Sequence, residues 1–213
     1  MYIKQYQMSD FVVFSYLVGC EKTKEAAVID PAGDVKIISG DATKLNFRIT
    51  KIINTHGHID HTMGNADLQK MTNAEIIIHE ADAPFLTAHS SYKLGMYDAR
   101  PSPSPDGLVK DGDTVRFGKE ELLVIHTPGH TPGSMCLYSA GYIFTGDTLF
   151  VEGVGRTDLP GGSWPQLLQS IKEKIFCLPE DTVVFPGHNY GCRPTSTIGE
   201  EKRNNPFVND VDS

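Results

Sequence analysis

The chain has 213 residues and a formal net charge of -8. That charge argues against nucleic-acid or anionic-membrane partners, since either selects a basic face. With 39% hydrophobic and 22% charged residues, the composition is that of a globular protein rather than a disordered one.

A chain this long buries roughly 70% of its unfolded surface, so it holds a core without staples. No apolar run approaches the roughly 20 residues of a transmembrane helix. The opening "MYIKQYQMSD" has no signal-peptide apolar region. The expectation is one cytoplasmic domain over residues 1–213. The four cysteines, Cys20, Cys136, Cys177 and Cys192, form no C-x-x-C pair. They are expected as reduced thiols packed like small apolar residues.

The first third reads as strands, then strands alternating with helices. Residues 11–18 and 26–30 are rich in branched and aromatic side chains and flank a charged turn. "KIIN" (51–54) and "EIIIH" (75–79) are short continuous apolar runs, as in strands buried on both faces. Helices are expected within 34–47, near 64–71 and near 80–89. The segment 90–107 carries prolines at 101, 103 and 105. It is expected to be an irregular loop with no regular helix, placed to cover a site.

The second half returns to strands at 114–118, 121–127, 134–139 and 142–147. A helix follows. Ser163 stands at its N-cap with Gln166 three residues on, a capping-box pattern. Trp164, Leu167, Leu168, Ile171 and Ile175 then share one face at helical spacing. That stripe reads as core. A buried strand, "TVVFPG" (182–187), precedes His188, and "GEEKR" (199–203) reads as a short exposed helix with Lys202 and Arg203 on a solvated face.

One pattern repeats along this map. A short apolar strand ends, a turn of Gly, Pro or Thr follows, and a metal-binding residue appears. "IINT" leads to His56, "LLVIHTPG" to His130, "YIFTG" to Asp147 and "VVFPG" to His188. Sheets that deliver side chains from several strand ends to one edge build active sites this way. In "THGHIDH", His56 and His58 can converge on one ion, with Asp60 and His61 facing a second. Imidazole and carboxylate suit zinc, iron or manganese, and the lack of cysteine argues against a closed structural zinc site.

T-H-x-H-x-D-H, then T-P-G-H-T, F-T-G-D and P-G-H, together resemble the metallo-β-lactamase superfamily over almost the whole chain. The resemblance implies an α/β fold, a four-layer αββα sandwich with the site at one edge of the paired sheets. It implies two divalent ions, zinc first with iron or manganese as alternatives. His56, His58 and His130 would hold one; Asp60, His61 and His188 the other; Asp147 would bridge. Asp30 would support the metal loop rather than bind. The ions, roughly 3.5–4 Å apart, would share a hydroxide nucleophile that Asp60 orients.

Within the superfamily, Asp147 is unlike the β-lactamases proper, and His58 is unlike the flavodiiron proteins, which carry glutamate there. Two branches fit. "FTGDTLFVEGVGRTDLPGGS" and "FPGHNYG" resemble the short glyoxalase II-like hydrolases. These cleave S-acylglutathione, a small-molecule thioester, and lack a C-terminal helical domain for which this chain is also too short. Tyr190 matches their glutathione-contacting tyrosine, and Arg156 a basic residue near it. Asp158 departs from an aromatic contact in the larger enzymes.

The alternative is a persulfide dioxygenase, a branch that keeps the same seven positions but uses one iron, at those of His56, His130 and Asp147. "GRTD" and "STIGEEKRNNPF" fit that branch too, but Phe207 replaces its usual arginine. The hydrolase is the preferred reading, and a non-enzymatic metal sensor is a third.

Outside this set, His79 and His126 read as structural. His89 stands beside the Pro-rich segment, as a surface residue or a substrate contact. Arg156 fits a substrate carboxylate or a loop salt bridge to Asp158 equally. Oligomeric state has no signature in the sequence.

Overall fold

The computed structural model describes residues 1–8, 11–88, 91–96 and 99–209. Among them, six strands form one sheet in chain order: β1 (Tyr2–Met8), β2 (Val13–Gly19), β3 (Glu25–Ile29), β4 (Arg48–Asn54), β5 (Glu75–His79) and β6 (Gly107–Val109). β1 to β3 run antiparallel, and β3 to β6 run parallel. Parallel neighbours need crossovers. These carry α1 (Lys36–Lys44), then α2 (Ile59–Thr62) and α3 (Asn65–Thr72), then α4 (Ala83–Thr87) and α5 (Ser91–Met96).

Alternation across β4 and β5 explains their continuous apolar runs. Ile52, Ile76 and Ile78 pack with Ile38 of α1 and Leu68 of α3. Ile53 and Ile77 point the other way, into a second cluster. Both faces of the sheet are therefore covered.

The second sheet comprises β7 (Thr114–Phe117), β8 (Glu120–His126), β9 (Met135–Ser139) and β10 (Tyr142–Gly146). A two-stranded ribbon, β11 (Leu149–Phe150) and β12 (Gly153–Val154), follows. Then come α6 (Trp164–Ser170), continued by a π-helical turn at Ile171–Ile175, β13 (Val183–Pro186), β14 (Ser196–Thr197), α7 (Ile198–Asn204) and α8 (Pro206–Asn209). The sheet order is β14-β13-β10-β9-β8-β7.

Phe14, Tyr16 and Val18 of the first sheet meet Phe117, Leu122, Leu137 and Phe144 of the second in the central layer. On the far side, Leu167, Ile171 and Ile175 cover Cys136, Ile143 and Val184. Helix, sheet, sheet, helix is the αββα order expected. No helix among the described residues is long and apolar enough to cross a membrane.

Five expectations need correction. β1 was not foreseen: Lys4, Gln5 and Gln7 mask it, although its register with β2 runs from Tyr2↔Gly19 to Met8↔Val13. The segment 90–107 does contain a helix, α5, and ends in β6. Its prolines begin only at 101, and proline constrains little beyond the residue before it.

Ser163 is the N-cap of α6, but its side chain makes no capping bond. The reciprocal capping box instead opens α7, between Thr197 and Glu200. That helix is not exposed all round: Glu201 is buried and accepts from the Glu152 N–H and from Asn205 Nδ2. Finally, only Cys20 and Cys136 are buried; Cys177 and Cys192 are exposed.

Candidate metal centre

Strand ends deliver the candidate ligands to one edge. β4 ends at Asn54, and Thr55 to His58 form the turn into α2. His58 is the N-cap of α2, and Asp60 and His61 lie in its first turn, so the helical path turns them away from His58. His130 lies in the connection from β8 to β9, Asp147 follows β10, and His188 follows β13 by two residues. The sheets meet here. The Met135 N–H donates to Thr55 O at 2.9 Å, and the Phe14 N–H to Gly187 O at 2.7 Å.

The side chains gather into three overlapping groups, one of which joins Asp30 to His56 and His61 across the other two. The ligand atoms of His56, His58 and His130 lie within 4.8 Å of one another, as do those of Asp60, His61 and His188. Asp147 faces both: its Oδ2 is 3.4 Å from His130 Nε2 and 3.3 Å from His188 Nε2, and its Oδ1 is 3.3 Å from His61 Nε2. Asp60 Oδ2 lies 3.6 Å from His188 Nε2.

The outer ring nitrogens are committed elsewhere, which fixes tautomers. His130 Nδ1–H donates to Arg156 O at 2.7 Å and His188 Nδ1–H to Phe11 O at 2.9 Å. Carbonyls only accept, so each Nε2 keeps its lone pair for the centre. His61 Nδ1 lies 3.0 Å from Asp30 Oδ2. Thr55 Oγ1 donates to Asp30 Oδ2 at 2.6 Å and accepts from His56 Nδ1 at 3.1 Å. Outer partners of this kind orient metal-binding imidazoles.

Charge follows the same division. Burial, then the neighbouring imidazoles, holds His56 well below the usual histidine range. Burial and His130 bring His58 down to about 4. His61 is also penalised by burial, but Asp147, Asp60 and Asp30 overcome this and raise it to about 10. Burial would raise Asp147, yet His61 and His188 hold it well below the carboxylate range. His56 and His58 are thus neutral imidazoles, and His61 keeps a proton among carboxylates. A cation entering the second half replaces that proton.

The donor set suits a metal. His56 Nε2 and Asp147 Oδ1 are buried without a hydrogen-bond partner. Such orphans are costly, and a cation satisfies an imidazole lone pair and a carboxylate together. Histidine and aspartate without cysteine match zinc, iron or manganese.

Asp30 lies behind the loop. Its Oδ1 accepts the Thr55 N–H at 2.7 Å. Its φ of +48° is unusual for a non-glycine residue, a strain the surrounding bonds maintain. Two further residues were not foreseen. Thr55 links Asp30 to His56. Asp82 accepts from Gly57 N–H (2.8 Å), Thr131 Oγ1–H (2.7 Å) and Gly133 N–H (2.6 Å). Neither has a local signal, because Asp30 lies 25 positions from Thr55, and Gly57, Thr131 and Gly133 lie 25 to 51 positions from Asp82.

A cavity of about 490 Å³ opens over the ligands, and Phe150, Val154, Leu159, Arg156 and Tyr190 help line it. Arg156 grips Asp158 through Nε and Nη2, both at 2.7 Å. The loop salt bridge is therefore formed, at the cavity rim. Tyr190 is exposed and stacks on His188, centroids 4.5 Å apart.

A larger cleft of about 630 Å³ lies beside Lys36, Asp67 and Arg100. It gathers no imidazoles, and Asp67 pairs with Arg100 at 2.9 Å. Ser102, in the Pro-rich segment, accepts from Asn65 of α3. His79 and His126 stack on each other at 4.0 Å away from the centre. His89 lies outside the described residues.

A sequence profile of the metallo-beta-lactamase superfamily matches residues 8–188. The chain belongs to the metallo-beta-lactamase superfamily. Its relatives carry two kinds of name. It is 32% identical over 197 residues to hydroxyacylglutathione hydrolase GloC of Haemophilus influenzae, covering 87% of this chain and 88% of that one. It is 33% identical over 197 residues to the mitochondrial persulfide dioxygenase ETHE1 of Homo sapiens, covering 91% and 70%. The crystal structure of TTHA1623 in a di-iron-bound form matches with a TM-score of 0.84 at 29% identity, covering 96% and 99%. Membership in the superfamily brings metal-dependent chemistry. Similar identity to both kinds of relative does not choose between them.

Proposed function

We propose that this superfamily member is a glyoxalase II-like thioesterase cleaving S-acylglutathione-type thioesters. The observation that carries the reading is the completeness of the second half. Asp60, His61 and His188 converge beside the three-imidazole half, and Asp147 faces both. That set offers a second ion a full complement of protein ligands, and Phe207 stands where the single-iron branch usually carries arginine.

His56, His58 and His130 would hold one divalent ion, Asp60, His61 and His188 the other, with Asp147 shared. Zinc is the first candidate, and iron or manganese the alternatives. When bound, such ions lower the pKa of a water and polarise a carbonyl. Asp60, half-buried at the cavity floor, orients the attacking water and accepts its hydrogen bond. Phe150, Val154 and Leu159 give the acyl group an apolar wall that excludes bulk water. The free edge of the Arg156 guanidinium and the Tyr190 hydroxyl face the carrier thiol's polar groups. Asp30 and Thr55 keep the imidazoles turned inward. We place the reaction in the cytoplasm, with a small-molecule substrate and no nucleic-acid or membrane partner.

A second reading is supported by the human relative. A persulfide dioxygenase would use one iron, at His56, His130 and Asp147. Metal analysis paired with two assays separates the readings. Two metals per chain with thiol release from S-lactoylglutathione support the thioesterase. One iron per chain, with oxygen uptake on glutathione persulfide, overturns it. Metal bound with neither activity points to another ester or to a sensor.

A further inference from the structure

We infer that Asp82 is a positioning residue that holds the His56–His58–His130 half of the centre in register, setting the metal affinity of that half independently of the other. The inference rests on the metal-centre reading above.

Asp82 occupies the N-cap of α4, where an aspartate ordinarily caps its own helix. Here its side chain makes no capping bond. Both carboxylate oxygens turn away from the helix to two loops. Oδ2 takes the Gly57 N–H and the Thr131 hydroxyl, and Oδ1 takes the Gly133 N–H. Gly57 stands between His56 and His58, and Thr131 follows His130. The first loop leaves the first sheet and the second belongs to the other sheet. One fully buried carboxylate thus fixes the backbone on both sides of the gap where His58 Nδ1 and His130 Nε2 stand 2.9 Å apart.

The glycines on both loops fit this arrangement. A Cβ on Gly57 would meet Phe85 Cβ at 2.7 Å, and one on Gly133 would meet Asp82 Oδ1 at 2.7 Å. Both loops approach α4 closely enough that only glycine fits. No bond runs from Asp82 to Asp60, His61 or His188. His61 is anchored by Asp30, and His188 by Phe11 O. Asp82 therefore supports the first half alone, whereas Asp30 reaches both, His61 directly and His56 through Thr55.

A cobalt(II) titration of the full-length protein tests this. It is followed by the visible cobalt spectrum and by metal content after gel filtration, with circular dichroism of the ion-free protein reporting folding. Losing an outer partner of a metal ligand typically costs about 10–100-fold in affinity. Asp82→Asn keeps the shape but presents a donor amide to donor groups. It should weaken one binding step by about 10–100-fold and leave the other within about threefold. The weakened step should be the one that His58→Ala abolishes, with the matching change in the cobalt spectrum. Asp30→Asn, which loosens His61 directly and His56 through Thr55, should weaken both steps.

Equal weakening of both steps by Asp82→Asn, or of neither, overturns the inference. If Asp82→Asn does not fold, Thr131→Val decides. It removes one of the three bonds, and should weaken the same step alone; an unchanged titration overturns the inference. A wild-type chain that binds no cobalt overturns this inference and the metal-centre reading together. No thioester enters the measurement, so failure of the proposed hydrolysis alone leaves the result standing.

Discussion

His56 shows how a ligand is prepared before any ion arrives. Its Nδ1 donates to Thr55, and Thr55 donates to Asp30, which leaves Nε2 as the partnerless atom aimed inward. Thr55→Val keeps the shape and cuts both links. It should lower metal affinity by about 10–100-fold, read by competition with a chromophoric chelator, and Thr55→Ser should restore most of it. Equal affinity in the valine variant would show that packing alone orients the ring.

At the rim, Asp158 holds Arg156 as a fork. The pair is exposed and screened by solvent, so it orients the guanidinium more than it stabilises the fold. Asp158→Ala should raise KM for a carboxylate-bearing thioester by about fivefold at most and leave kcat unchanged. A matched neutral thioester should show no change. A fall in KM instead would mean that Asp158 competes with the substrate for Arg156.

Elements were legible in the sequence where burial is two-sided and lost where it is one-sided or irregular. β4 and β5 show as unbroken apolar runs because both faces are covered. β1 does not, because polar side chains stand on both its faces, Lys4 beside Tyr6 on one and Gln5 and Gln7 on the other. A tertiary tie compensates: Lys4 Nζ pairs with Asp41 Oδ2 of α1 at 2.5 Å, and Tyr6 OH donates to the same oxygen at 3.1 Å. The hydrogen bond from Lys4, helped by Lys44, holds Asp41 at about 2, below its ordinary 3.8.

A depressed carboxylate contributes stability that is complete above its unfolded pKa and lost as pH falls through the folded one. Unfolding by urea at stepped pH should therefore show a decline between about pH 4 and 2 that is shallower in Asp41→Asn. Equal slopes would show that the tie adds nothing. The α6 stripe was readable from spacing, and its burial is complete at Leu167, Ile171 and Ile175. Ile171→Ala, which empties space against the second sheet, should cost about 2–5 kcal/mol in denaturant unfolding.

At the scale of the whole molecule, the candidate ligands were legible for one reason. Each follows a strand end and a sharp turn, and parallel strands deliver their ends to a common edge. What could not be read is what ties those ends together. Asp82 sits in "HEADAP" with nothing local to separate it from a helix cap, because its partners lie 25 to 51 positions away along the chain. Contacts of that range exist only once both sheets have formed.

The same fact predicts how metal should affect stability. The centre joins the edge of one sheet to the edge of the other, so unfolding must dismantle it, and an ion that binds only the folded form stabilises the whole chain. At free metal about 1,000 times Kd the gain is about 4 kcal/mol. For a chain of this length that corresponds to a rise in Tm of about 8–16 °C. Stripping metal with a chelator should lower Tm by that amount, and restoring zinc should recover it. The shift should grow with the logarithm of free metal. In His58→Ala and His61→Ala it should shrink, each variant having lost part of one half. A Tm unmoved by chelator and by added zinc, iron and manganese alike would mean that the convergent histidines and aspartates do not bind a metal.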